Sequence, residues 1–228
     1  MNKSKDTITI VVLLGPPGSG KGTQAKKVAS TLKLPHVDTG SLIREAIKNQ
    51  TPLGKKAKDI VESGRLLPDQ LVNSLIKEKL YSLKEDSFQG FILDGFPRTI
   101  GQAEALEKII EELNLGPLKI FNVQAPEDLL IKRLSSRRLC SNKDCGEIYN
   151  LVSKKPEKEN ICDKCGSPLY QRKDDLEEAC RQRLVEYKNK TAPLEKYYKD
   201  KKMLIDIDGS KDKDIVFKEI NVIMNSCP

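Results

Sequence analysis

The stretch "LLGPPGSGKGTQAKKVA" runs from Leu13 to Ala29 and follows the apolar run "ITIVV". A strand that empties into Gly-Pro-Pro-Gly-Ser-Gly-Lys ahead of a helix-patterned segment has the layout of a phosphate cradle. Repeated small residues let backbone N–H groups converge on phosphate oxygens, and the following helix adds the positive end of its dipole. Lys21 would then lie along a transferred phosphoryl group. The usual pattern is G-x-x-x-x-G-K followed by Ser or Thr. Gly15 to Lys21 fits it, but Gly22 stands where the hydroxyl belongs, and the hydroxyl arrives one place late, at Thr23.

That displacement bears on the metal. In most loops of this type the hydroxyl after the lysine ligates Mg²⁺ directly. Without it the ion is held mainly by nucleotide phosphates and waters, and Asp94, at the end of a predicted strand, is the candidate to orient those waters. An Asp that merely turns the chain before Gly95 is the plainer alternative, and the residues leave both open.

Outward from the loop, the chain alternates between strand and helix patterns. Residues 7–14 form a continuous apolar strand of the kind buried on both faces of a parallel sheet. Ala25, Val28, Ala29 and Leu32 give helical spacing over 21–32. "LPHV" (34–37) is a short strand, followed by helices over 41–49 and 54–63, the second stopped by Gly64. Pro68 opens a helix to about residue 82. A strand ends at Asp94, a helix covers 101–113, and "LKIFNV" (118–123) is another strand. Pro126 opens a helix to about Arg138, on which Arg133 and Arg137 would share a face. Asp174 and Glu177 resemble a capping box for a helix through about Lys190. "MLIDID" (203–208) and a helix over 212–225 close the chain, with no internal repeat and no disordered tail. The alternation implies an α/β fold, a doubly wound parallel sheet with its ligand outside the carboxyl ends of the strands.

The 228 residues are 38% hydrophobic and 32% charged, an ordinary soluble composition able to bury a sizeable core. The run Ile8–Leu14 is too short to span a membrane and leads into a glycine loop, not a cleavage site, so a cytoplasmic protein is expected. The net charge of +7 fits either nucleic acid or anionic small molecules. Between Lys132 and Lys173 there are eleven Lys/Arg against five Asp/Glu, so the excess is local. The same segment is turn-rich and holds Cys140, Cys145, Cys162 and Cys165. Paired cysteines around a loop point to Zn²⁺ in a closed structural site, with iron as the alternative occupant. Cys180 reads as a small core residue and Cys227 as a bystander.

Arg44, Arg98, Arg133, Arg137, Arg172 and Arg183 would each be a solvated arginine if met alone. Beside a phosphate loop, the set becomes a means of aligning two polyanions, because a guanidinium stays charged and binds phosphate oxygens bidentately. The single histidine, His36, reads as a packed strand residue. Transfer to an alcohol would want a base, whereas a phosphate acceptor is already anionic. The missing base favours a nucleoside monophosphate as acceptor.

"GPPGSGKGTQ", "DTGSLIR", "LDGFPRT", "QRKDDLEEACRQRL" and "YYK" together resemble adenylate kinase in its long form with a zinc-containing lid, in order and over nearly the whole chain. That family has Gly after the loop lysine. The resemblance implies a five-stranded parallel core (1–37, 68–135, 174–228) carrying a monophosphate-binding insert (38–67) and a lid (136–173). It implies that Gly18, Ser19, Gly20, Lys21, Gly22, Thr23, Arg137, Ile148, Tyr149 and Lys211 contact ATP. It assigns AMP to Thr39, Arg44, Arg65, Leu66, Leu67, Gly95, Phe96, Pro97, Arg98, Gln102, Arg172 and Arg183, and has Arg133 and Arg137 reach the triphosphate from the lid hinge. The expected reaction is reversible transfer from Mg·ATP to AMP, giving two ADP, by a monomer with Mg²⁺ and structural Zn²⁺. The family's usual zinc spacing has two residues between the first two cysteines, and here there are four. Two rivals stay open: a relative using GTP or accepting UMP, CMP or GMP, and a zinc-knuckle nucleic-acid binder. Against the second, the basic region offers only Tyr149 and Tyr170 for stacking.

Overall fold

The computed structural model describes residues 9–84, 90–142 and 144–226. The expected strand residues 7 and 8, both chain ends and Cys227 lie outside these.

Strand β1 (Thr9–Leu14) occupies the centre of the sheet, with β3 (Gly90–Asp94) on one side and β4 (Leu118–Gln124) on the other. β2 (His36–Asp38) lies outside β3, and β8 (Leu204–Asp208) outside β4. All four pairings are parallel, giving the five-stranded order β2-β3-β1-β4-β8. The unbroken apolar run of β1 follows from its position, since both faces are covered. Ile10, Val12 and Leu14 join one core with α4 (Asp69–Lys84), α5 (Ile100–Glu112) and α8 (Pro193–Asp200), through Ile76, Leu80, Leu106, Leu194 and Tyr198. Val11 and Leu13 join the other with Phe121, α1 (Lys21–Leu32) and α9 (Lys213–Ser226), through Ala25, Val28, Val216 and Ile220.

The chain leaves β2 directly into α2 (Thr39–Lys48) and α3 (Pro52–Glu62), which pack on each other. Thr51 caps α3 by accepting the Gly54 N–H at 3.1 Å, and Gly64, at φ +79°, turns the chain after it.

Three expectations need correction. The helix opened by Pro126 stops early: α6 is Glu127–Ser135, and Arg137 belongs to β5 (Arg137–Cys140). Ser135 Oγ donates to the Ile131 carbonyl at 3.0 Å and Ser136 Oγ to that of Lys132, which competes with continued helix. Arg137 then pairs with Asn150 of β6 (Ile148–Asn150), so Arg133 and Arg137 do not share a helix face. The capping box does not form either: α7 is Glu177–Glu186, capped at Leu176, while the Asp174 carboxylate faces Arg183 at 3.3 Å. Third, the chain passes from α7 through a π-helical turn (Tyr187–Thr191) into α8, which was not anticipated.

The basic segment is a small antiparallel sheet, β6-β5-β7, with β7 at Leu169–Tyr170. Its core is Cys140, Tyr149, Cys162 and Leu169, with Cys145 packed against it.

Phe121 is fully buried at the centre of the second core. Phe121→Ala is expected to lower unfolding free energy by ~3–5 kcal/mol, read from urea melts followed by circular dichroism.

Candidate active site

The carboxyl ends of β1 and β3 deliver the Gly15–Gly20 loop and Asp94 to one edge of the sheet, where the strand order reverses. Gly15 is obligatory there: its φ is +136°, and a Cβ would lie 2.1 Å from the Val123 carbonyl oxygen. Gly22 has a different reason. It is helical, but a Cβ on it would lie 2.9 Å from Asp94 Oδ2. The absence of a hydroxyl side chain after Lys21 is therefore tied to a carboxylate pressed against the first turn of α1.

Lys21 Nζ donates to the Pro16 carbonyl at 3.2 Å. Burial pushes its pKa down to about 8; Asp94 opposes the shift, and Arg98, Arg183 and Arg137 reinforce it. Asp94 is 3.8 Å from His36 Nε2, so the lone histidine faces a carboxylate.

Two cavities adjoin this edge. The first, about 480 Å³, is bordered by Gly15, Pro17, Lys21, Pro97 and Tyr187. The second, about 640 Å³, is bordered by Thr39, Arg44, Arg65, Leu67, Val72 and Gln102. Gly64, Leu66, Gly95, Arg98 and Arg183 border both. Two guanidinium groups thus stand at the junction of two compartments.

Each arginine is held in its own way. Asp175, 0% exposed, accepts from Arg137 Nε at 2.8 Å and Nη2 at 2.5 Å, and from Arg183 Nη1 at 3.0 Å. Burial alone would lower the Arg137 pKa, but Asp175 outweighs it and the group is held more firmly charged. Arg183 also donates to the Asp174 carbonyl at 2.9 Å. Asp174 is held below the usual carboxylate range: burial opposes this, but Arg183, Arg172, Arg44 and Arg137 prevail. Arg98 donates from Nε to the Gly95 carbonyl at 2.9 Å, and its own carbonyl accepts from Thr191 Oγ1 at 2.9 Å. Arg44 reaches Asp38 at 3.5 Å and Ser41 Oγ at 3.1 Å. Arg172 is the least satisfied: its buried Nε has no hydrogen-bond partner among the described residues. Burial, with Arg44 and Arg137 nearby, pushes its pKa down to about 10. Thr39 Oγ1, on the wall of the second cavity, is likewise without a partner among the described residues.

Other residues singled out in the sequence lie apart from both cavities. Arg133 donates to the carbonyls of Gly209 (2.7 Å) and Ser210 (3.3 Å). Lys211 faces Glu219 at 3.4 Å. Phe96 is fully buried. Ile148 and Tyr149 belong to the small sheet, and the Tyr149 hydroxyl accepts the Asp163 N–H at 2.8 Å and lies 3.5 Å from Cys162 Sγ. Asp175, Tyr187 and Thr191 were missed. Only the adjacent pair of acids that follows Arg172 and Lys173 gave any sequence signal for the first, and nothing marks the other two.

Cys140, Cys145, Cys162 and Cys165 offer sulfurs that all lie within 4.8 Å of one another. The separations Cys140–Cys165 and Cys145–Cys162 are 3.4 and 3.7 Å. Tetrahedral Zn–S bonds of about 2.3 Å require roughly 3.8 Å between sulfurs, so the four thiols fit such an ion despite the longer first turn. Among the described residues, no helix is long and apolar enough to cross a membrane.

A sequence profile of the adenylate kinase family matches residues 13–203. The chain belongs to the adenylate kinase family. It is 48% identical to the adenylate kinase of Archaeoglobus fulgidus, over 94% of this chain and 97% of that one. Its identity to the adenylate kinase of Caldicellulosiruptor bescii is 45%, over 92% and 96%, and to that of Thermosipho africanus 45%, over 93% and 98%. Glycine after the loop lysine, noted above as a departure from the commoner pattern, agrees with this membership.

The thiol cluster leads to one expectation. Protein purified without chelator carries one metal ion per chain by elemental analysis, and its removal lowers the melting temperature; Cys162→Ser gives metal-free protein with the same loss.

Proposed function

We propose that the protein transfers the γ-phosphoryl group of Mg·ATP to AMP, reversibly, giving two ADP. One observation carries the reading: Arg98 and Arg183 border both cavities, so one pair of cations serves two anionic ligands at once. The loop cavity takes the donor, with Gly18–Thr23 around its phosphates. Arg137 and the backbone at Ile148–Tyr149 come from the lid side, since the Tyr149 side chain is committed to the thiol cluster, and Lys211 comes from the core between β8 and α9. The second cavity takes the acceptor, with Thr39, Arg65, Leu66, Leu67 and Gln102 at its nucleoside and Arg44, Arg98, Arg172 and Arg183 at its phosphate. Gly95 and Pro97 shape the wall between the two, with Phe96 buried behind them.

The chemistry asks for alignment and charge neutralisation. The acceptor oxygen is already anionic and needs no base, which fits a single histidine facing Asp94. Magnesium arrives with ATP as part of the substrate, and Asp94, the carboxylate nearest the loop, would hold waters of its shell. Zinc in the four thiolates would supply no step; it would hold the lid's small sheet together. Residues 38–67 and 136–173 act as the two moving inserts on the core 1–37, 68–135 and 174–228. Their closure excludes water, which would otherwise accept the phosphoryl group. Arg133 would reach the triphosphate only after leaving the carbonyls of residues 209 and 210. We read the enzyme as a cytoplasmic monomer that binds small nucleotides and not nucleic acid.

ADP formation measured over a panel of donors and monophosphates tests the reading. ATP with AMP should exceed every other pair, and Lys21→Met should reduce turnover by roughly 100- to 1,000-fold. A best rate with GTP, UMP, CMP or GMP overturns the base assignment.

The lowered pKa of Lys21 adds a proton signature. With a pKa of about 8, the lysine is partly neutral at pH 8.5, and a triphosphate beside it favours the charged form. ATP binding at pH 8.5 should therefore take up protons, seen as a dependence of the calorimetric enthalpy on buffer ionisation heat. The uptake should fade near pH 6.5, where Lys21 is already charged, and be absent in Lys21→Met.

A further inference from the structure

Gln102 is 2% exposed, yet it borders the second cavity. Its carboxamide sits between two neighbours of opposite chemistry. Oε1 accepts the Arg98 backbone N–H at 2.8 Å, and Nε2 donates to Asp69 Oδ1 at 2.8 Å. The other carboxylate oxygen of Asp69 accepts from Thr99 Oγ1 at 2.6 Å, and that hydroxyl in turn accepts the Gln102 backbone N–H at 3.1 Å. Asp69 comes from the first turn of α4, whereas Thr99 and Gln102 open α5. The approach is close: a Cβ on Gly101 would lie 3.1 Å from Asp69 Oδ2.

These contacts leave the amide one orientation. Turned over, its NH₂ would face the Arg98 N–H, donor against donor, and its carbonyl would face a carboxylate, acceptor against acceptor. An Arg98 amide can only donate and an ionised Asp69 can only accept, so the choice does not depend on fine geometry. A carboxamide has two N–H groups and two lone pairs, and one of each is used. The spare N–H and the spare lone pair form a donor–acceptor pair of fixed order for whatever enters the cavity.

Order is what distinguishes purines on this edge. A 6-aminopurine offers an acceptor at N1 beside a donor on the 6-substituent; a 6-oxopurine offers a donor at N1 beside an acceptor. A freely turning amide could serve either base, but a locked one serves only one. We propose that Asp69 is a positioning residue for the acceptor base, fixing the Gln102 amide so that the site takes a 6-amino and rejects a 6-oxo purine monophosphate. The inference rests on the reading of the second cavity as the AMP site. Asp69 would touch no nucleotide itself; its effect passes through Gln102. A carboxylate suits the task better than an amide, because it accepts at both oxygens and its hydrogen bonds are the stronger charge-assisted kind.

The test compares kcat/KM for AMP and for inosine 5′-monophosphate, which carries the 6-oxo group without a 2-amino group, at saturating ATP. Asp69→Asn keeps the shape but can donate as well as accept, and Asp69→Ala removes the partner. In both, the AMP-to-inosine ratio should fall by roughly fivefold to tenfold, the difference between a charged and a neutral partner. The KM for ATP should stay at its wild-type value. A merely structural Asp69 would weaken both nucleotides together, and a ratio within twofold of wild type in either folded variant overturns the proposal. Wild-type protein that fails to phosphorylate AMP at all overturns the acceptor assignment and this inference with it, whereas an AMP-specific wild type with unmoved variant ratios removes the inference alone.

Discussion

The buried carboxylate of Asp175 is the interaction on which the cleft depends. Arg137, at the start of β5 in the small antiparallel sheet, and Arg183, on α7, both donate to it. An arginine cluster facing a low-dielectric cleft repels itself, and each guanidinium taken out of water loses hydration. Asp175 answers both problems from behind, where it occupies no space that a ligand needs. Asp174, Asp38 and Asp94 offset the charge of Arg183, Arg44 and Lys21 at longer range, Asp174 from the wall of the second cavity. Six cations, Lys21 with Arg44, Arg98, Arg137, Arg172 and Arg183, thus stand against four carboxylates. The surplus is positive, and the unpartnered Arg172 Nε is its clearest local sign. In the proposed reaction that surplus is met by two nucleotides.

Arginine is the residue type this arrangement requires. Burial, reinforced by neighbouring guanidinium groups, lowers the pKa of Arg172 to about 10 and that of Lys21 to about 8. A guanidinium so shifted remains charged at neutral pH with a wide margin, whereas a second lysine beside Lys21 would begin to lose its proton. The ring can therefore carry many guanidinium groups and one lysine. The planar fork matters as well: Arg137 uses Nε and Nη2 on Asp175 and keeps its third nitrogen, Nη1, for a second anion.

Much of this was legible in the sequence because it is local. The apolar run of β1, the glycine loop and the helical spacing of α1 are each written within about a dozen residues, and the structure has α1 at Lys21–Leu32. The parallel sheet followed from the alternation of strands and helices, and the thiol cluster from cysteine spacing. What could not be read is what forms between distant segments. Arg137 and Asp175 are 38 positions apart, and Thr191 reaches the Arg98 carbonyl across 93. The end of α6 depends on the pairing of β5 with β6, which overrides a helical pattern that looked continuous through Arg138. Tyr149 carries no mark in the sequence that its hydroxyl turns toward Cys162 and Asp163.

The glycine at position 22 joins the local and the distant parts. Locally it is only a helix-weakening residue in the first turn of α1. In the folded chain it is the gap through which Asp94, at the end of a different strand, comes up against the loop lysine. Any side chain there would displace the carboxylate, and with it the group that opposes the loss of the Lys21 proton. A hydroxyl at this position and a carboxylate at Asp94 are thus competing solutions for one small space. The chain has taken the carboxylate, so the residue after Lys21 offers no hydroxyl to magnesium. In the proposed reaction the ion is then held chiefly by the phosphates it accompanies, so it enters with one nucleotide and leaves with another. An enzyme that must release a charged product from a closed cage in either direction is better served by a metal bound to its substrate than by one bound to its loop.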